Sequence, residues 1–248
     1  AGGGYPNNGP PDDMEDLGKF LSTMATRYKG RIRAYEIWNE PNLAAEWGGR
    51  QPDAAQYVAM LKVAYRRIKE ADPAAMVVTA GLSPTTASGA IATPDTEYLR
   101  QMYRAGAKGF YDAIGVHAAG FKAPPEMSPD EVANNPEYNH GEPGLGRIYC
   151  FRHAEDLREI MVENGDEDSQ VVILEFGWTI DPRPNSPYYW HSVLDPAVQA
   201  DYLVRAYQYA KENWSPWVGL MSLIYIANPD WTEEDEKYWW AISTPGYP

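Results

Sequence analysis

The chain has 248 residues, of which 21 are Lys or Arg and 35 Asp or Glu, a formal net charge of −14. Such a balance repels polyanions, which argues against nucleic acid and anionic membrane surfaces as partners, and no apolar run approaches the roughly 18 residues of a membrane span. The single cysteine, Cys150, leaves no intrachain disulfide framework and no Cys-rich metal site.

The opening Ala1-Gly-Gly-Gly-Tyr5 has no initiator Met, signal region or lipidation motif and reads as the interior of something longer. Asp12, Glu15 and Asp16 then signal a helix start. Met14, Leu17, Leu21, Met24 and Tyr28 follow at helical spacing until Gly30. A short strand from Arg33 to Trp38 runs into Asn39-Glu40-Pro41-Asn42, where proline ends pairing. The next helix is predicted over Asp53 to Ala71, with Tyr57, Leu61, Ala64 and Ile68 on one face, followed by a strand from Met76 to Ala80.

A helix over Glu97 to Ala105 leads to a third strand, Ala113 to His117. The stretch from Phe121 to Tyr149, rich in Pro and Gly, is predicted as an elaborated surface loop. Ala154 to Asn164 reads as a helix, and Val171 to Leu174 as a buried strand that delivers Glu175 to its C-terminal end. After a second loop, Asp181 to Leu194, Asp195-Pro196 opens a helix with Leu203, Ala206, Tyr207, Ala210 and Trp214 on its face. The last strand is Val218 to Ile226, before a polar, Trp-bearing loop. Five apolar strands, each separated from the next by a helix, indicate an α/β fold with a parallel sheet in one domain over residues 1–248.

Two glutamates, Glu40 and Glu175, share one context, immediately after a buried strand. In a parallel barrel the C-terminal strand ends converge on one mouth, and two carboxyls across a sugar are what glycosidic cleavage requires. The 9 Trp and 18 Tyr, against 5 Phe, suit flat apolar contacts with sugars. Trp231 is expected as one such stacking platform, whereas Trp214 and Trp217 are expected in the core. Glu36 is expected as a structural ion-pair partner, and Glu233 to Glu236 as a solvated loop and not a metal site.

Tyr35-Glu-Ile-Trp-Asn-Glu-Pro-Asn42 resembles the acid/base motif at the end of the fourth strand of clan GH-A glycoside hydrolases. Ile173-Leu-Glu-Phe-Gly-Trp178 is similar to the nucleophile motif of their seventh strand, and Asp112-Ala-Ile-Gly-Val-His117 resembles their sixth. The nearest flavour is glycoside hydrolase family 39, the β-xylosidase and iduronidase group. The resemblance implies a (β/α)8 TIM barrel with Glu40 as general acid/base and Glu175 as nucleophile of a retaining mechanism without cofactor or metal. It also implies that Asn39 donates to the sugar 2-hydroxyl, that His117 lies in the donor-sugar subsite, and that Trp178 stands beside the substrate. Where relatives carry an aromatic after the histidine, Ala118-Ala119-Gly120 follows here, leaving Phe121 or a loop tyrosine to line that subsite.

Only one helix precedes the fourth-strand motif. The resemblance therefore maps the chain onto strands four to eight, an incomplete barrel section without the first three strands and the last helix. Such a section is expected to expose its edge strands and to pair with the missing barrel portion or with another copy of the chain. The expected partner of the site is an oligo- or polysaccharide. Competing readings are a non-catalytic carbohydrate-binding or self-assembling barrel fragment, and a metal hydrolase, which would want histidine pairs that the four histidines do not form.

Overall fold

In a computed structural model that describes residues 8–246, five strands alternate with helices; the Ala1 to Tyr5 segment lies outside the described residues. The order along the chain is α1 (Met14–Arg27), β1 (Ala34–Ile37), α2 (Ala54–Ala71), β2 (Met76–Thr79), α3 (Asp95–Arg104), β3 (Ala113–His117), α4 (Pro129–Ala133), α5 (Ala154–Glu163), β4 (Gln170–Phe176), α6 (Pro196–Asn213), β5 (Val218–Leu223) and α7 (Glu236–Trp240). The parallel sheet has the order β1-β2-β3-β4-β5, the topology of a run of βα units from a TIM-barrel-like fold. No helix of the described residues is long and apolar enough to cross a membrane.

Two compact units are formed, one from the described part of residues 1–116 with Leu157–Val172, the other from His117–Asp156 with the described part of 173–248. In the first, aspartates cap α1 and α2, the cap of α1 being Asp13 and not the Asp12 that opened the predicted start signal. Asp13 accepts from the Glu15 N–H, and Asp53 accepts from the N–H groups of Ala55 and Gln56. Tyr57, Leu61, Ala64 and Ile68 of α2 are all fully buried, so the apolar stripe is the packed face. β1 and β2 pair in parallel from Ala34 opposite Met76 to Ile37 opposite Thr79, and Val78 pairs with Ala113 of β3.

The second unit departs from expectation at three places. The predicted loop from Phe121 to Tyr149 carries the short helix α4, whose Ser128 and Glu131 form a reciprocal capping box. It also has a small core of its own, in which Ala123, Val132, Ile148, Tyr149 and Cys150 pack with Phe121, Met127, Tyr138 and Trp190. Arg147 ties this segment down by bonding Asp130 at 2.8 Å and Asp156 at 2.7 Å. Burial alone would raise the Asp156 pKa, but hydrogen bonds from His153 and Arg147 hold it down at about 2.

The expected tail loop contains α7; Glu233 to Asp235 are exposed as expected, while Glu236 is half-buried, accepts from Trp240 Nε1 at 2.9 Å, and has its pKa raised by burial. Finally, Tyr207, expected on the packed face of α6, is 41% exposed, although its ring meets Phe176 edge-on at 5.1 Å. Trp214 is in the core as expected, while Trp217 is half-buried with its ring 5.2 Å from that of Trp214. The terminal strand β5 shows the anticipated apolar exposure, with Leu220 59% and the following Ile226 72% exposed.

Candidate active site

In the first unit, β1 ends at Ile37 and the chain turns sharply. Trp38 has φ 74° and Glu40 φ 43°, left-handed conformations that cost a non-glycine residue about 1–3 kcal/mol each. Several contacts hold the turn in place. Trp38 Nε1 donates to the Glu46 carbonyl at 2.9 Å and its ring meets Trp47 edge-on at 6.1 Å, while the Glu40 N–H donates to the Gly81 carbonyl at 3.0 Å. Asn42, fully buried, donates to the carbonyls of Ser83 and Thr93 at 2.9 and 3.0 Å and accepts from the Ser83 N–H at 2.9 Å.

The proline between Glu40 and Asn42 thus sits in a turn gripped from both sides. Glu40 is half-buried and Asn39 exposed, which leaves both polar ends within reach of a ligand. Glu36 has Oε1 3.4 Å from the Gly81 N–H, and with Asn8, Trp38, Asn39 and Glu46 it lines a shallow cleft of about 400 Å³.

In the second unit, β4 runs two residues beyond the predicted strand and includes Glu175, whose side chain is 33% exposed. His117 closes β3. It is buried, with Nδ1 3.7 Å from Glu175 Oε2, so the little surface that it offers lies beside that carboxylate. Beyond His117 the backbone stays alongside β4, since Ala118 N donates to the Glu175 carbonyl at 2.8 Å and Gly120 N to the Gly177 carbonyl at 2.9 Å.

Trp178 corrects an expectation. It is completely buried, its indole N–H donates to the Ala123 carbonyl at 2.9 Å, and no face of the ring is open to stack on a sugar. A Cβ on Gly120 would lie 1.9 Å from Trp178 Cε2, so the glycine at this position makes room for the indole. Trp231 is half-buried and edge-on to Tyr225 at 5.4 Å. Gln199, which nothing in the sequence flags, is buried on α6 and donates to the Trp178 carbonyl at 2.7 Å, fixing the segment just after Glu175.

Phe121, at φ 52°, packs against Tyr149, Trp190 and His191, with ring centroids 5.0, 5.9 and 5.2 Å away. His191 is buried among Phe121, Tyr188, Trp190 and Trp240, and that burial pushes its pKa down to about 4. An unfolded histidine titrates near 6.5, so the unfolded chain binds the extra proton first. The stabilisation is complete above pH 6.5 and is lost as pH falls through 4, by about 3 kcal/mol at most. Urea melts between pH 7 and pH 4 should therefore show a shallower pH dependence for His191→Phe than for the parent; parallel curves would remove His191 from the account.

The five-stranded parallel α/β sheet has a partial TIM-barrel-like fold, and solved structures of glycoside hydrolases match it. A family 39 glycoside hydrolase from Bacteroides cellulosilyticus WH2 matches 98% of this chain and 45% of its own, with 19% identity and a TM-score of 0.62. A glucosidase from Croceicoccus marinus matches 97% of this chain and 44% of its own, with 14% identity and a TM-score of 0.63. A family 39 β-xylosidase from Caulobacter crescentus matches 97% of this chain and 46% of its own, with 19% identity and a TM-score of 0.58. The chain thus spans less than half the length of each of these proteins, and at these identities the likeness is one of fold. No protein-family model and no curated protein matches the sequence.

Proposed function

We propose that the chain carries the catalytic pair of a retaining glycoside hydrolase, with Glu175 as nucleophile and Glu40 as acid/base. Above all, the reading is supported by the location of both glutamates at or just beyond the C-terminal ends of strands in one parallel sheet, the end at which barrel enzymes assemble their sites. Glu175 attacks the anomeric carbon while Glu40 protonates the departing glycosidic oxygen, giving a glycosyl ester on Glu175. Water, deprotonated by Glu40, then displaces the ester and restores both carboxyls. This chemistry needs the two carboxyl groups about 5–5.5 Å apart and calls for no metal or other cofactor.

Asn39, exposed beside Glu40, is suited to donate to the sugar 2-hydroxyl, and Trp231 to stack on a sugar face. His117, 3.7 Å from Glu175 Oε2, is suited to the edge of the donor-sugar subsite beside the nucleophile. The substrate class is an oligo- or polysaccharide with O-glycosidic links.

The test is the stereochemistry of hydrolysis by the full-length protein, followed by proton NMR on aryl xylosides and glucosides. The first-formed sugar should have the anomeric configuration of the substrate, and EDTA should leave the rate unchanged. An inverted first product, or activity lost to EDTA and restored by a divalent cation, would overturn the reading.

A further inference from the structure

The hydroxyl of Tyr57 occupies a rung of the β1–β2 ladder. Met76 N donates to the Arg33 carbonyl at 2.9 Å, and the register then runs from Ala34 opposite Met76 to Ile37 opposite Thr79. Hydrogen bonds from one parallel strand to its neighbour recur every two residues, so the continuation of this series joins the Ala80 N–H to the Ile37 carbonyl. At that position Tyr57 Oη accepts from Ala80 N at 2.7 Å and donates to the Ile37 carbonyl at 3.0 Å. The tyrosine reaches the ladder from α2 and is fully buried, its ring 6.5 Å from Trp47 and 6.4 Å from Tyr98. Burial raises the Tyr57 pKa, so the hydroxyl keeps the proton it donates.

An oxygen inserted into a rung spreads the strand ends that the direct bond would hold together. Past it, Trp38 and Glu40 take their left-handed conformations, and contact with the next strand resumes in a different form, Glu40 N to the Gly81 carbonyl at 3.0 Å. Tyr57 therefore determines where β1 leaves the sheet, three residues before Glu40. We propose that Tyr57 is a positioning residue for the proton-transfer carboxyl of Glu40, acting through the inserted rung. This rests on Glu40 being the acid/base.

The experiment compares Tyr57→Phe and Glu40→Ala in the full-length protein on alkyl and 2,4-dinitrophenyl β-xylosides and β-glucosides, with competent sites counted by a 2-deoxy-2-fluoro glycoside. General acid assistance amounts to about 10²–10⁴-fold for a poor leaving group and is hardly needed by dinitrophenolate. Glu40→Ala should lose kcat/KM by roughly that factor on the alkyl glycosides alone. Tyr57→Phe should show the same selectivity in weaker form, a loss of about 10–100-fold on alkyl glycosides and less than about threefold on dinitrophenyl ones.

Equal losses on both substrate classes after Tyr57→Phe would reduce the tyrosine to packing and overturn the inference. If Glu40→Ala itself shows no leaving-group dependence, or none of these glycosides is hydrolysed, the catalytic reading fails first and the inference with it. A measurement on the unaltered protein covers a variant that does not fold. The Ala80 amide, lying past the last backbone rung, should exchange with deuterium as slowly as those of β2, and rapid exchange would overturn the inserted rung.

Discussion

Glu175→Gln should lower glycoside hydrolysis by about 10⁵, equivalent to about 7 kcal/mol of transition-state stabilisation, while leaving the protein folded. The amide has nearly the shape of the carboxylate, and the backbone of Glu175 is held independently of its side chain, its carbonyl accepting from Ala118 N at 2.8 Å. What the amide lacks is the negative oxygen that attacks the anomeric carbon, so no glycosyl ester forms. Glu175→Gly sharpens the test by opening space for azide. With an activated aryl glycoside, azide attacks the anomeric carbon directly, the phenolate leaves, and the glycosyl azide has inverted configuration. In Glu40→Ala the glycosyl ester still forms on Glu175, azide displaces it in place of water, and the product has retained configuration. Opposite outcomes from the two variants identify nucleophile and acid/base separately. Activity of Glu175→Gln within tenfold of the parent would end the assignment.

The alternation of helix and strand is written in local patterns, which is why α2 matches its prediction to within a residue: Asp53 caps it, and its apolar stripe repeats every three or four positions. That Glu40 and Glu175 lie near the C-terminal ends of strands was legible from the short apolar runs before them, although β4 runs through Glu175 and only Ile37 of β1 is buried. α4 was missed although Ser128 and Glu131 stand at capping-box spacing, because the five-residue helix has too little length to show a period. Its surroundings pack through residues scattered from Phe121 to Cys150 together with the distant Trp190, and a core assembled from such separated positions leaves no local signature.

Trp178 was expected beside the substrate from the likeness of its motif alone, and a motif carries no information on burial. Only the tertiary fold shows that the indole is enclosed and its N–H already bonded to Ala123. Tyr57 was readable as a core residue of its helix, but the use of its hydroxyl depends on the register of two strands 20 and 23 residues away. No helix pattern contains that information.

Gly120→Ala should destabilise the protein by about 3 kcal/mol and should also slow hydrolysis. Its Cβ would lie 1.9, 2.2 and 2.2 Å from Cε2, Cζ2 and Nε1 of Trp178, distances at which either the indole or the backbone must move. Neither moves freely. The indole is completely buried and bonded to the Ala123 carbonyl, and the Gly120 N–H is committed to the Gly177 carbonyl at 2.9 Å. Two residues on each side of that bond lie the Ala118 N–H and the Glu175 carbonyl, joined at 2.8 Å, so a displaced Gly120 pulls on the backbone that carries Glu175 and His117. The clash belongs to the Trp178 ring and not to glycine's conformational freedom, since Gly120 is absent from the left-handed positions. A double-mutant cycle separates these. In a Trp178→Ala background, where the ring that the Gly120 Cβ would strike is gone, Gly120→Ala should cost less than about 1 kcal/mol, a coupling of about 2 kcal/mol in denaturant melts. Strictly additive losses would mean that the glycine is required for some reason other than the tryptophan beneath it.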